Sequence, residues 1–383
     1  MTISALARGT SVCMLLAMLL AGLAGCLNSS PSQALQDAAD AELAADEPLT
    51  DDQLRDLLDE AIDACAARRM STKDQAAWQI VHGILAYGPE LYIEADGKDV
   101  CAIKYLLEGG ELNGWRFMKG EKGLDSLLES GTLTGQGHEN QWFGYLSQIG
   151  IPADQTLVVH EGSETNTYTM QDVIEQVKWT VRDGQEATWT LMGLATYLPL
   201  DARWTAQDGS EWTLEKLVGM EAVQNLNESA CGGTHRLYGL TSALNRYKNE
   251  LKVKDEDLTG GWKLAHDVIQ ESIQTFKEHQ QQDGTFSVKF LERSATSPDV
   301  SLQLNTSGHT LEFLSIALTD EQLREPWFEN AAITLADLFL DTADLPLECG
   351  GLYHSAHGLQ IYRHRRFGPR PAKSAAVEAQ EQE

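Results

Sequence analysis

A-C-G-G-T-H-R-L-Y-G-L-T-S-A-L, from Ala230 to Leu244, decides how the rest of the chain reads. A Gly pair opens it, a helix follows, and His235 falls in the first turn with Gly239 four residues on. Five other stretches share this plan: Q-I-V-H-G-I-L from Gln79, N-Q-W-F-G-Y-L from Asn140, W-T-L-M-G-L-A from Trp189, H-T-L-E-F-L-S from His309 and H-S-A-H-G-L-Q from His354. Their anchors, Gly83, Gly144, Gly193, Gly239, Phe313 and Gly358, stand 45 to 74 residues apart. Repeat architectures show that spacing. Four residues before the anchors come Gln79, Asn140, Trp189, His235, His309 and His354, so the last three copies all carry His. In the second copy His138 also follows a glycine and competes for the place.

Between the copies lie amphipathic segments. Leu54, Leu57, Leu58, Ala61, Ile62 and Cys65 fall at helical spacing within Asp51–Arg69, with Thr50 and Asp51 as caps. Y-T-M-Q-D-V-I-E from Tyr168 matches W-T-L-E-K-L-V-G from Trp212, and Glu161-Gly162-Ser163 and Asp208-Gly209-Ser210 precede them as turns. Further helices are expected from about Trp262 to Gln281 and from Trp327 to Thr342, the second started by Pro326. No single hairpin can cover its own apolar face, so neighbours must stack. The fold expected is all-α: an α/α toroid of six helical hairpins over residues 49–368, with an open superhelix of hairpins as the alternative. Residues 108–135 and 283–306 are Gly-rich or irregular and are read as short strands or loops.

Residues 1–25 read as a targeting segment: Arg8 is its only charge, and the apolar run Val12–Leu23 is too short to span a bilayer. Its end, L-A-G-C from Leu23 to Cys26, resembles the bacterial lipobox. That resemblance implies cleavage before Cys26, lipid on its sulfur, and, with Leu27 rather than Asp next, sorting to an outer membrane. Residues 26–48 read as a flexible tether and 369–383 as a disordered tail. The whole chain has a net charge of −28, which becomes −29 without Arg8. Such a surface excludes nucleic acid as partner, because phosphate binding needs basic groups. Export permits disulfides among Cys65, Cys101, Cys231 and Cys349, in any of three pairings. Cys231 and Cys349 both precede a Gly-Gly, which brings them near each other in the repeat reading.

Q-Q-Q-D-G-T-F, Gln280 to Phe286, resembles the Q-x-x-D-G-x-W motif of the terpenoid cyclase and protein prenyltransferase toroids, with Phe in place of Trp. There the motif ties the end of an outer helix to the next turn. The cyclases' D-x-D-D element is absent, so the resemblance implies fold rather than activity. The stretch Leu124–His138 is similar to one in a group of exported planctomycete proteins, a resemblance that implies no activity.

In a ring the inner-helix N-termini meet at one mouth, with free N–H groups and positive dipole ends. The glycines Gly232 and Gly233 let a ligand approach that backbone, which makes an anion-tolerant cup. Imidazoles suit proton transfer and metal ligation. His235, Tyr238, His309 and His354 are therefore the catalytic candidates. Gln79, His82, His138, Glu139, Asn140, Trp189, Glu312 and His357 join the two glycines as ligand-binding candidates. No cofactor follows from the sequence with certainty, but Cys231, His235, His309, Cys349 and His354 could build a zinc site. C-G-G-x-x-H-x-x-H-G from Cys349 distantly resembles the C-H-G zinc element of lanthionine-cyclase toroids, though Cys and His are not adjacent here. Polysaccharide lyase-like toroids supply another expectation, His235 and Tyr238 as base with Asn140, Gln79 and Arg236 assisting and Trp189 stacking on a sugar. Glu139 and Glu312 would be the carboxylates of a glycosidase. The function expected is a lipid-anchored protein that binds an extracellular polymer or protein segment at the mouth. The alternative is an enzyme, lyase, hydrolase or zinc-dependent, that works through the three histidines.

Overall fold

The computed structural model describes residues 48–370. The expected signal peptide, the tether up to residue 47 and the tail beyond residue 370 lie outside them. Twelve α-helices and four small two-stranded sheets are present among the described residues.

The six stretches with the shared plan all become helices: α2 (Ala77–Tyr87), α4 (Gln141–Gln148), α6 (Thr188–Tyr197), α8 (Thr234–Leu251), α10 (Val300–Ala317) and α12 (Cys349–Phe367). Each packs on the next, and α12 packs on α2. Before each of them comes a second helix: α1 (Asp51–Ala66), α3 (Ala102–Leu107), α5 (Met170–Thr180), α7 (Leu214–Ala222), α9 (Gly260–His279) and α11 (Pro326–Asp341). The amphipathic α1 buries Leu54, Leu58, Ala61, Ile62 and Cys65 on one face, as its spacing predicts. By contrast α6 from Thr188 to Ala195 and α10 from Leu304 to Ser315 are buried on nearly every side, because both lie inside the layer of neighbours.

Three anchor glycines and Gly308 explain the close contact of the even-numbered helices. A Cβ on Gly193 would collide with the Phe143 ring, and one on Gly144 with Trp189. At Gly308 it would lie 2.7 Å from both N and Cα of Ser355, and at Gly358 2.9 Å from the Glu312 backbone nitrogen. Backbone cannot withdraw as a side chain can. Gly308→Ala is therefore expected to lower unfolding free energy by about 1–3 kcal/mol, measured by denaturant titration.

Four antiparallel hairpins decorate the helices: β1 (Tyr92–Ala95) with β2 (Lys98–Cys101), β3 (Phe117–Lys119) with β4 (Leu124–Ser126), β5 (Thr156–Glu161) with β6 (Glu164–Thr169), and β7 (Arg203–Thr205) with β8 (Glu211–Thr213). The expected turns at Gly162 and Gly209 close the third and fourth. Each then ends in a threonine that caps the following helix: Thr169 accepts from the Asp172 N–H and Thr213 from the Lys216 N–H. Residues 108–135 hold the β3–β4 hairpin, as expected. Residues 283–299 form no strand, and α10 begins at Val300.

The Q-D-G element makes the tie its resemblance implies. Gln280, at the end of α9, donates to the carbonyls of Gly284 (3.0 Å) and of Trp327 at the start of α11 (2.8 Å). Phe286 is buried against Phe276. At the other join, Arg363 of α12 donates twice to Asp59 of α1, at 2.8 and 2.9 Å. Arg366 reaches Asp51 of α1 and Glu329 of α11.

Candidate metal centre

Each even-numbered helix sends one ring to a common centre: His82, Tyr145, Trp189, His235, His309 and His354. Neighbouring ring centroids stand 5.4 Å apart for His82–Tyr145, 6.5 Å for Tyr145–Trp189 and 5.2 Å for Trp189–His235. The circuit continues with 4.8 Å for His235–His309, 4.0 Å for His309–His354 and 5.1 Å back to His82. The order of rings is the order of helices. All six are buried, none more than 6% exposed.

The hydrogen bonds decide which ring nitrogens face inward. His82 Nδ1 donates to the Trp78 carbonyl at 2.5 Å, and His309 Nδ1 to the Asn305 carbonyl at 2.6 Å. His354 Nδ1 donates to Glu312 Oε2 at 3.0 Å. All three Nδ1 protons are thus spent, so Nε2 is the nitrogen left to face the centre, and it keeps its lone pair in His82 and His354. Metal-ligating histidines are prepared in this way, the outer N–H held by a carboxylate or carbonyl. The Tyr145 hydroxyl lies 3.5 Å from His82 Nε2 and 3.3 Å from His354 Nε2, and accepts from Gln141.

Two sets of ligand atoms come within 4.8 Å of one another: Cys231, His235 and His309, and His235, Glu312 and His354. The second set follows from the His354–Glu312 hydrogen bond, and Glu312 has both oxygens engaged, since His357 Nδ1 donates to Oε1 at 2.5 Å. We therefore read Glu312 as the group that holds His354 and His357 in place. The first set combines sulfur and nitrogen, the donors zinc prefers.

Electrostatics follow from burial. It pushes His82 down to about 4 and His354 to about 3, and His235 well below its ordinary value. His309 is also penalised by burial, but the adjacent Cys231 sulfur, Glu312 and the Asn305 carbonyl draw it up to about 9. Burial would protonate Glu312, yet His354 and His357 hold its carboxyl well below the usual range. A charged carboxylate thus sits in the interior. For His82 the unfolded side chain titrates near 6.5 and the folded one at about 4. Protons then favour the unfolded state, so the stabilisation present above pH 6.5 is lost as pH falls towards 4. The wild-type chain is expected to lose on the order of 3 kcal/mol more than His82→Gln over that interval, measured by denaturant melts at each pH.

The expected open cup is not what the chain builds. Rings fill the centre, and internal carboxylates occupy N–H groups at three of the helix N-termini. Glu348 accepts from the Gly350 and Gly351 N–H groups of α12, Asp299 from Ser301 and Leu302 of α10, and Glu221 from Ala187 beside α6. Gln79 caps α2 through the Ala76 N–H, and Asn140 bonds Thr190. Glu139 pairs with Arg182, and His138 with Glu186. Trp189 is fully buried between His138 and His235, with no face left for a sugar. Tyr238 turns towards His357 (6.2 Å between rings) rather than the centre. Arg236 is buried against Glu221, so neither completes a lyase site. Gly232 and Gly233 lie under Phe290 and Leu226.

Cys349 is in neither set. It is the first residue of α12, where burial and the neighbouring Glu348 push its thiol up to about 11. All four described cysteines are free thiols. Tyr145 escaped the sequence reading. Its one signal is an aromatic ring one residue past the Gly144 anchor. No family model matches the chain, and neither curated proteins nor solved structures gave a match.

Proposed function

We propose that this chain is an exported, lipid-anchored α/α toroid that binds zinc at its centre and uses it for hydrolysis. The convergence of Cys231, His235 and His309 ligand atoms within 4.8 Å carries the reading. The orientation of His309, fixed by its Nδ1 bond to the Asn305 carbonyl, and the charge balance support it. A Cys231 thiolate and the Glu312 carboxylate together offset a divalent cation, in an interior where an uncompensated charge is costly. Six even-numbered helices in a closed sequence of contacts, each with a partner helix, support the toroid over the open superhelix. The L-A-G-C element supports lipid attachment at Cys26 and a place at an outer membrane.

Three protein ligands leave a tetrahedral ion one open position, the arrangement of catalytic zinc. Zinc bound there would polarise a substrate carbonyl or activate water. The chain supplies the rest. His354, turned by Glu312, presents Nε2 as proton acceptor beside the ligand set. Tyr145 offers a hydroxyl proton 3.3 Å from that nitrogen. Cys349 has no part in the site. A module that only holds a polymer in an open mouth finds less support, because the rings fill the mouth's floor.

Elemental mass spectrometry of the purified protein tests this. About one zinc per chain is expected, and cobalt in its place should show a thiolate charge-transfer band that shifts when azide is added. Absence of bound metal would sink the reading. A band indifferent to azide would make the site structural rather than catalytic.

A further inference from the structure

Twenty residues without helix or strand, 280–299, join α9 to α10. Irregular segments of that length inside a compact unit are usually functional. This one closes on itself at a neck. Ser287 donates to the Arg293 carbonyl at 2.6 Å and accepts from the N–H groups of Lys289 and Ala295, while Val288 bonds Ala295. Beyond the neck the chain delivers Phe290 onto the turn that holds Cys231. The contact is close: a Cβ on Gly232 would lie 2.3 Å from Phe290 Cγ. Both partners are held in left-handed backbone, Cys231 at φ 48° and Phe290 at φ 50°. Non-glycine residues adopt it at a cost, and such strain gathers at clamps and switches. His279 Nδ1 pins the loop by donating to the Phe290 carbonyl at 3.2 Å. Of the three zinc donors Cys231 is the outermost, half-buried where His235 and His309 are buried.

We infer that Phe290 is the gate of the metal centre, and that metal and the occupant of its fourth position exchange between this ring and the Cys231–Gly233 turn. The inference rests on the zinc reading for the metal, but the packing of Phe290 on the Cys231–Gly233 turn stands without it. A gate of this kind admits small or extended groups at the end of a larger molecule, since only the loop needs to move.

Two rates test it on the full protein: zinc transfer to a chromophoric chelator, and alkylation of Cys231 by iodoacetamide in metal-free protein, mapped by peptide mass. Cys101, half-buried and remote from this turn, serves as the internal reference. Phe290→Ala is expected to raise both rates tenfold or more, and Ser287→Ala, which loosens the neck without touching the turn, to raise them in the same direction. Phe290→Leu should fall between. Unchanged rates in a Phe290→Ala protein that melts like the parent would overturn the gate while leaving the zinc site intact. If the parent binds no zinc, the function above fails, and faster Cys231 alkylation in Phe290→Ala would still establish the cover.

Discussion

The Cys231→Ala, His309→Ala double variant is expected to purify without zinc under conditions where the parent retains about one ion. Loss of groups that merely orient a ligand costs roughly 10–100-fold in affinity, so loss of two ligands should exceed a hundredfold by a wide margin. Competition with a chelator of known affinity measures it. Folding should register the same loss. A ligand present at a thousand times its dissociation constant stabilises the native state by about 4 kcal/mol, and that difference should separate the melts of metal-loaded parent and variant. The variant's own fold should survive, because Cys231 lies at a turn and His309 keeps its helix. Equal zinc content in parent and variant would refute the ligand assignment.

Arg236→Met is expected to be more damaging to stability than any change on the surface. Glu221 is fully buried at the end of α7 and holds three partners: the Arg236 guanidinium at 2.7 Å, the Thr188 hydroxyl at 3.0 Å and the Ala187 N–H at 3.2 Å. Burial already pushes its carboxyl up, and Arg236 opposes that push. Removing the cation strands the carboxylate, at a cost of about 3–5 kcal/mol. Pairing Arg236→Met with Glu221→Gln should recover part of the loss, since no buried charge is then left alone. Guanidinium unfolding of the single and double variants reads both numbers. A single variant within 0.5 kcal/mol of the parent, a margin about that of surface substitutions, would show that the pair carries no such weight.

Much of the helical plan was legible because close helix contact demands small residues at fixed places. Gly144, Gly193 and Gly358 sit where a neighbour's ring or backbone arrives, and that demand prints a recurring letter. The three histidines were legible for the same reason, as positions one turn before the seam. The hairpins were harder to see. Their strands are three to six residues long, and β6 is largely exposed with no apolar stripe. The expected nearness of Cys231 to Cys349 rested on the Gly-Gly that follows both. One cysteine occupies a left-handed turn and the other starts a helix capped by Glu348, so the same letters aim the two sulfurs differently. The filling of the helix N-termini was hidden too. Glu221 comes from another helix, 34 residues beyond the N–H it accepts from. Glu312 reads in the sequence as a ligand-binding carboxylate, and only the contact of α10 with α12 sets it between two imidazoles.

The seam where α12 meets α1 and α2 has a consequence for biosynthesis. Arg363 and Asp59 stand 304 residues apart in the chain, and α1 and α2 keep apolar surface uncovered until α12 exists. At 5–20 residues per second a ribosome needs roughly 15–60 s to bridge that interval. During it the nascent chain carries sticky helices without their final partner, the condition that recruits holding chaperones and delays compaction. A chain cut short before residue 349 would lack the sixth helix and with it His354. Quality control would meet such a fragment with α1 and α2 still lacking the helix that packs on them.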